Sequence, residues 1–241
     1  MLKTLLPRLY YSTFFNKSSI GQLYIVSEDI DTYFCFNNHK GFLFPQADEQ
    51  LTIKLDVHSS SGKKILSKNF NLNAHDSLSV SIRDLLKEKL TIGKEEILGS
   101  IVCTTPKTTL QNHFYTYYRD DKTESVAMIH PQSTVGRKTT DRTWISNQII
   151  HTKDLENITL YQMNHSRGTS SCHYYLRSVA DGSIFAEADV SVKQLGVTKV
   201  KFDLTDSPAQ LCLSLDNLLS PNGKPLIMRR YKNNKFTINH G

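Results

Sequence analysis

One stretch of this chain occurs twice. Residues 32–41 read Thr-Tyr-Phe-Cys-Phe-Asn-Asn-His-Lys-Gly and residues 159–168 read Thr-Leu-Tyr-Gln-Met-Asn-His-Ser-Arg-Gly, with Thr, Asn and Gly at the same places. Beyond it, Gly62 matches Gly182, Phe70 and Leu72 match Val190 and Val192, and Val80 and Ile82 match Val200 and Phe202. Both copies end alike, on Tyr-Tyr-Arg-Asp-Asp-Lys before His130 and on Arg-Tyr-Lys-Asn-Asn-Lys before His240. A repeat of this length confines the fold, because both copies must be served by one kind of unit. The chain's 241 residues accommodate two such units. The expected halves are residues 1–132 and 133–241, joined by the polar stretch 131–140 with Gly136 inside it. Trp144 and Ile145 follow at once and are expected to open the second unit or to pack between the two.

Within each copy the apolar period is two. Residues 51–57, Leu-Thr-Ile-Lys-Leu-Asp-Val, alternate strictly, and so do 200–204, Val-Lys-Phe-Asp-Leu. Period two describes a strand with one buried and one wet face. Gly62 and Gly182, set in Ser-Ser-Gly-Lys and Ala-Asp-Gly-Ser, supply the positive φ of a hairpin turn. One helix is expected, over residues 81–90, with Leu85, Leu86 and Leu90 on one side and Gly93 as its stop. The second copy has Thr-Asp-Ser-Pro there, at residues 205–208, so its helix is reduced to a turn. The expected architecture is all-β: two tandem immunoglobulin-like sandwiches related by duplication, each of about seven short strands. Cys35 and Cys103 then fall on facing strands, while Gln162 stands opposite Cys35 in the second copy. That asymmetry favours buried thiols over bridges for Cys35, Cys103, Cys172 and Cys212.

Charge narrows the partners. The chain carries 29 Lys and Arg against 23 Asp and Glu. To residue 132 the balance is 15 basic to 14 acidic, and the remainder holds 14 and 9, so the excess lies in the second half. The two basic clusters, Arg229-Arg230-Tyr231-Lys232 with Lys235 and Arg137-Lys138 with Arg142, are read as solvated faces, and nucleic acid is not expected. No apolar run approaches 18 residues, so no membrane span is expected. Pro7 and Arg8 interrupt the N-terminal apolar stretch, and the chain is expected to be soluble and intracellular. Sequons at Asn16, Asn157 and Asn164 are the features that fit secretion instead.

Motifs of known chemistry are missing: there is no CxxC, GxSxG, Gly-rich phosphate loop or HExxH, and neither metal nor cofactor is expected. The nine histidines contain no HxH or HxxxH pair; His39 and His165 fall near one another in the repeat, and His130 and His240 close the two copies. The paired acids Asp29 with Asp31 and Asp120 with Asp121 read as solvated loop carboxylates. The densest polar–aromatic stretch runs from His113 to Asp121, and Tyr and Arg favour recognition surfaces because they give large contact area at low entropic cost. The leading expectation is a non-enzymatic binding protein whose glycan or protein partner meets Tyr115, Tyr117, Tyr118, Arg119, Trp144, Arg229, Arg230 and Tyr231 at the junction of the copies. Two alternatives stand beside it: a hydrolase using His130, His151, Asp154 and Glu156, with a metal as an option, and a self-assembling subunit pairing through exposed strands.

Overall fold

A computed structural model describes residues 17–38, 50–106, 114–131, 133–136, 143–217 and 224–240. The N-terminal stretch to Asn16, His39, His113 and the Arg137-Lys138-Arg142 cluster lie outside the described residues. The structure is nearly all β, with antiparallel sheets throughout. Sheet A holds β4(Lys64–Leu72), β3(Leu51–Ser59), β6(Ile97–Pro106), β1(Lys17–Val26) and β9(Ser133–Thr134), in that order. Sheet B runs β5(Ser77–Ser81), β2(Ile30–Asn37), β7(Phe114–Asp120), β8(Val126–Ile129). Sheet C runs β10(Trp144–His151), β15(Gln210–Asp216), β12(Ser170–Ser178), β13(Ile184–Val192). Sheet D runs β14(Val197–Asp203), β11(Leu155–Met163), β16(Leu226–Tyr231), β17(Phe236–His240).

Sheets A and B enclose one core, and sheets C and D another. β3 shows why: Leu51, Ile53, Leu55 and Val57 are buried while Thr52 and Lys54 face water. Taken in chain order, the strands of sheets A and B follow one another and pair as those of sheets C and D do, with β9 as an extra edge on sheet A. Among the described residues each sandwich therefore has eight principal strands, four to a sheet, in line with the expected number of about seven. The first strand of each crosses at once to the opposite sheet instead of pairing with the second. Ser133 and Thr134, inside the expected join, pair with β1.

The ladders place the two repeat segments one residue out of the gapless match. Phe34 pairs with Val80 and Leu160 with Val200, so these core residues occupy the same place. Asn38 then corresponds to Asn164, and both close the strand end: Asn38 Nδ2 donates to Leu72 O and Asn73 O, and Asn164 Nδ2 to Val192 O and Gly168 O. A side-chain period of two forbids a slip of one, which would turn every core residue outward.

The helix is α1(Ile82–Lys87), shorter than expected. Ser81 caps it, accepting from Asp84 N at 2.9 Å, and Ile82 and Leu86 are buried. Leu90 lies past its end and is exposed. All four cysteines are free thiols: Cys103 and Cys172 are buried, Cys35 and Cys212 half-buried. Asn157 and Asn164 are buried as well, so neither sequon presents its amide to solvent.

The two sandwiches share a third core. Leu23, Ile25, Ile30, Val102, Tyr118, Ala127 and Ile129 of the first pack against Tyr161, Met163, Val197, Leu226, Met228, Phe236 and Ile238 of the second. Polar contacts reinforce it: Ser100 Oγ donates to Leu195 O at 2.6 Å and Val197 N to Ser60 O at 2.9 Å. The junction is thus filled with side chains rather than open as a cleft.

Candidate functional site

The stretch from Phe114 to Asp120 forms β7, and its alternation divides the expected contact residues. Tyr115, Tyr117 and Arg119 point to the outer face of sheet B; Tyr118 points inward, fully buried, and its hydroxyl donates to Leu23 O at 2.7 Å. Tyr118 is therefore a junction residue and not a contact residue, and burial holds its phenol well above the ordinary value. Around Tyr115 and Tyr117 the ladder sets further outward side chains: Tyr33 and Met128 opposite Tyr117, Cys35 opposite Tyr115, Val126 opposite Arg119. Val126 and Met128 are 56% and 55% exposed and Tyr115 37%. Beyond β2, the outward residues of β5 are Ser77, Ser79 and Ser81. The result is a contiguous, uncharged stripe of rings, methyls and hydroxyls on a rigid sheet.

Its ionised groups sit at one end. Arg119 Nε lies 3.0 Å from Asp121 Oδ1, and Arg83 bridges Asp121 to Asp31. Asp31 is not a solvated loop acid as expected: it is buried, and it accepts from Ser81 Oγ at 2.6 Å and Arg83 N at 3.0 Å. Burial pushes its carboxyl upward, against the pull of those donors. Asp120 is likewise buried, capping the turn through Lys122 N and Thr123 N. These carboxylates position the β7 end of the stripe.

The other expected contact residues lie elsewhere. Trp144 packs against the second core, with Lys224 Nζ 5.3 Å from its ring. Arg230 lies on the outer face of sheet D and lines a hollow of 290 Å³ with Glu96, Glu156, Tyr161, Lys199 and Lys201. Glu96 holds this corner of the junction, receiving Lys199 Nζ at 2.9 Å and the Tyr161 hydroxyl. Arg229 and Tyr231 line a separate hollow of 460 Å³ with Gln148, Ile149, His151, Lys153 and Asp154. There Arg229 Nη2 donates to Gln148 Oε1 at 2.9 Å, and burial lowers the guanidinium's pKa.

Of the four side chains weighed for hydrolysis, His151 and Asp154 share a hollow. Glu156 faces the 290 Å³ hollow and a neighbouring one of 520 Å³. His130 instead meets His240, ring centroids 4.7 Å apart, so the two terminal histidines of the copies touch each other. Burial, with His130 and Lys224 nearby, lowers the His240 pKa to about 4. No hydrogen bond or ion pair joins His130, His151, Asp154 and Glu156 among the described residues, so no proton relay is assembled from them. The described residues also contain no group of three or more His, Cys, Asp or Glu placed to hold a metal.

One cluster escaped the sequence reading. On the outer face of sheet C, His173 Nδ1 lies 2.6 Å from Asp189 Oδ1 and Nε2 3.3 Å from Glu187 Oε2, with the ring 4.3 Å from Tyr175. The Asp189 contact foremost, then Glu187, raises the imidazole's pKa. The hairpin turning at Gly182 pairs His173 with Asp189 directly, so the signal was the turn residue rather than the histidine. A carboxylate at each ring nitrogen favours the protonated imidazole, which donates from both.

No protein-family model and no curated protein matches the chain. Among solved structures, a glycosyl hydrolase family 2 member from Bacteroides cellulosilyticus DSM 14838 aligns over 93% of this chain and 28% of its own, at 8% identity and a TM-score of 0.21. A beta-glucuronidase from glycoside hydrolase family 2 aligns over 92% and 23%, at 10% identity and a TM-score of 0.17. The chain spans well under half the length of either.

Proposed function

We propose that this chain is a non-enzymatic interaction protein whose contact surface is the outer face of sheet B. The observation that carries the reading is the co-facial set Tyr33, Tyr115, Tyr117, Val126 and Met128 on one ladder, with Tyr115, Val126 and Met128 exposed and Tyr33 and Tyr117 half-buried. Contiguous exposed apolar surface on a soluble domain marks a place of contact, and tyrosine gives such a surface both ring area and a hydrogen-bonding hydroxyl. The stripe lies along an outer sheet face and not in an enclosing pocket of the described residues, which suits an extended partner, a glycan chain or a protein surface, better than a small substrate needing burial on all sides. Arg119, clamped by Asp121, supplies a fixed cation at its edge.

The test is binding of the labelled protein to glycan and protein arrays, beside a Tyr115→Ala, Tyr117→Ala variant. At least a tenfold loss of signal on the retained partner is expected, with the melting temperature unchanged. Equal binding by the variant would place the contact surface elsewhere. Turnover of a glycan by the wild type, lost on His151→Ala, would replace this reading with the hydrolase.

A further inference from the structure

The outer face of sheet D answers to that of sheet B position by position. Arg230 stands across from Asn157 and Phe236 as Arg119 stands across from Asp31 and Val126; Met228 stands across from Thr159 and Ile238 as Tyr117 stands across from Tyr33 and Met128. Leu226 and Tyr161 pair as Tyr115 and Cys35 do. Yet Leu226, Met228, Phe236 and Ile238 are only 1–3% exposed, where Val126 and Met128 exceed half. What covers them is the flank of the first sandwich, where β1 with Leu23 and Ile25 lies against β11 and β8 with Ala127 and Ile129 lies against β17, Tyr118 belonging to the same cluster.

The second sandwich has a flank at the same place, with Thr237 and Asn239 of β17 where β8 has Ala127 and Ile129, and no described residue of the first sandwich packs on its β10 isoleucines. In the ladders Ile149 takes the place of Leu23, His151 that of Ile25 and Arg229 that of Tyr118. These three residues line the open 460 Å³ hollow, with Tyr231 and Lys153. Ile145 and Ile149 beside it are 62% and 49% exposed. Five of the exposed large apolar residues thus lie on the two surfaces, Tyr115, Val126 and Met128 on one and Ile145 and Ile149 on the other, whose counterparts meet inside the chain.

We propose that copies of this chain associate head to tail, the flank of β10 and β16 in one copy seating on the outer face of sheet B in the next, as the first sandwich seats on sheet D. The proposal rests on the reading of the sheet B face as the contact surface and names its partner as a second copy of the chain. Seated so, Ile145 and Ile149 of β10 lie over β2, as β1 lies along β11, and β17 lies along the β8 strand of Val126 and Met128, as β8 lies along β17 inside the chain, while Arg229 and Lys153 approach the uncharged rings of Tyr33, Tyr115 and Tyr117 as cation–aromatic partners. Because the two surfaces differ, the contact is heterologous and leads to a ring or an open filament rather than a closed pair.

Complementation decides it, read by sedimentation velocity from about 1 µM to about 500 µM. Wild type is expected to gain mass with concentration. A face variant, Val126→Lys with Met128→Lys, and a flank variant, Ile145→Lys with Ile149→Lys, are each expected to stay monomeric. Mixed in equal amounts they should form a one-to-one dimer and nothing larger, since each keeps the surface the other lost. Wild type monomeric throughout overturns the proposal, and so does a flank variant that assembles like wild type, which marks a face-to-face pair. Should lysine unfold a variant, as circular dichroism would show, serine at the same positions serves. A monomeric wild type whose array binding still depends on Tyr115 and Tyr117 defeats the assembly and leaves the contact surface standing.

Discussion

The outer faces of sheets B and D share one strand order and one register, and they meet opposite fates. On sheet D the central residues Tyr161, Met228, Phe236 and Ile238 are sealed under the first sandwich. On sheet B the corresponding Cys35, Tyr117, Val126 and Met128 are half-buried or exposed. Apolar bulk stands on both faces, Phe236 and Ile238 on the covered one and Val126 and Met128 on the open one. Burial therefore belongs to the packing of sandwich on sandwich.

The most severe way to break the comparison is to empty its covered side. Phe236→Ala is expected to destabilise by about 3–5 kcal/mol in urea unfolding, from lost burial and the cavity left behind. Val126→Ala, at the matching place on sheet B, should stay within about 0.5 kcal/mol. Similar losses at both sites would mean that the sheet B face is buried in solution.

Acid sharpens the comparison next, because the covered side holds neutral histidines. His165 is buried and hydrogen-bonded through Nε2 to Gly21 O across the junction, and burial lowers its pKa to about 4. An unfolded imidazole titrates near 6.5, so the unfolded chain binds more protons between the two values. Stability is expected to hold above about pH 6.5 and to fall as the pH drops towards 4, by roughly 3 kcal/mol at most. His240, lowered to about 4 at the same junction, acts in the same direction. A urea midpoint unchanged between pH 7 and pH 4.5 would contradict this.

A smaller effect comes from the hairpin that abuts the second sandwich. Gly62 has φ +82°, and a Cβ there would lie 2.2 Å from Gln194 O. Gly62→Ala should cost roughly 2 kcal/mol, from the left-handed backbone and the displaced contact. Gly182→Ala, at the matching hairpin with φ +73° and open space around it, should cost only the backbone part, about 1 kcal/mol. Equal losses would show that the junction yields freely at Gln194.

Much of this was legible in the residues. Strict alternation in 51–57 identified β3 and its buried face, Gly62 and Gly182 marked their hairpins, and the Thr-Asp-Ser-Pro stretch of the second copy correctly replaced the helix. Tyr118 was misjudged because a run of aromatic residues looks uniform, whereas successive side chains of a strand point to opposite faces. Asp31 and Asp120 were misjudged because acids in turns are commonly solvated, and only the folded chain shows the donors gathered around them.

Local chemistry determined the strands, the hairpins, the capped helix and the likeness of the two halves, since each depends on residues close in sequence. The tertiary structure alone decided that the two sandwiches share an apolar core at their junction, that His130 meets His240 rather than His151, and that one of two matching faces has exposed residues where the other is buried. Those outcomes turn on which outer face another sheet approaches. A period of two fixes where a side chain points, and only the packing of distant elements fixes what it meets there.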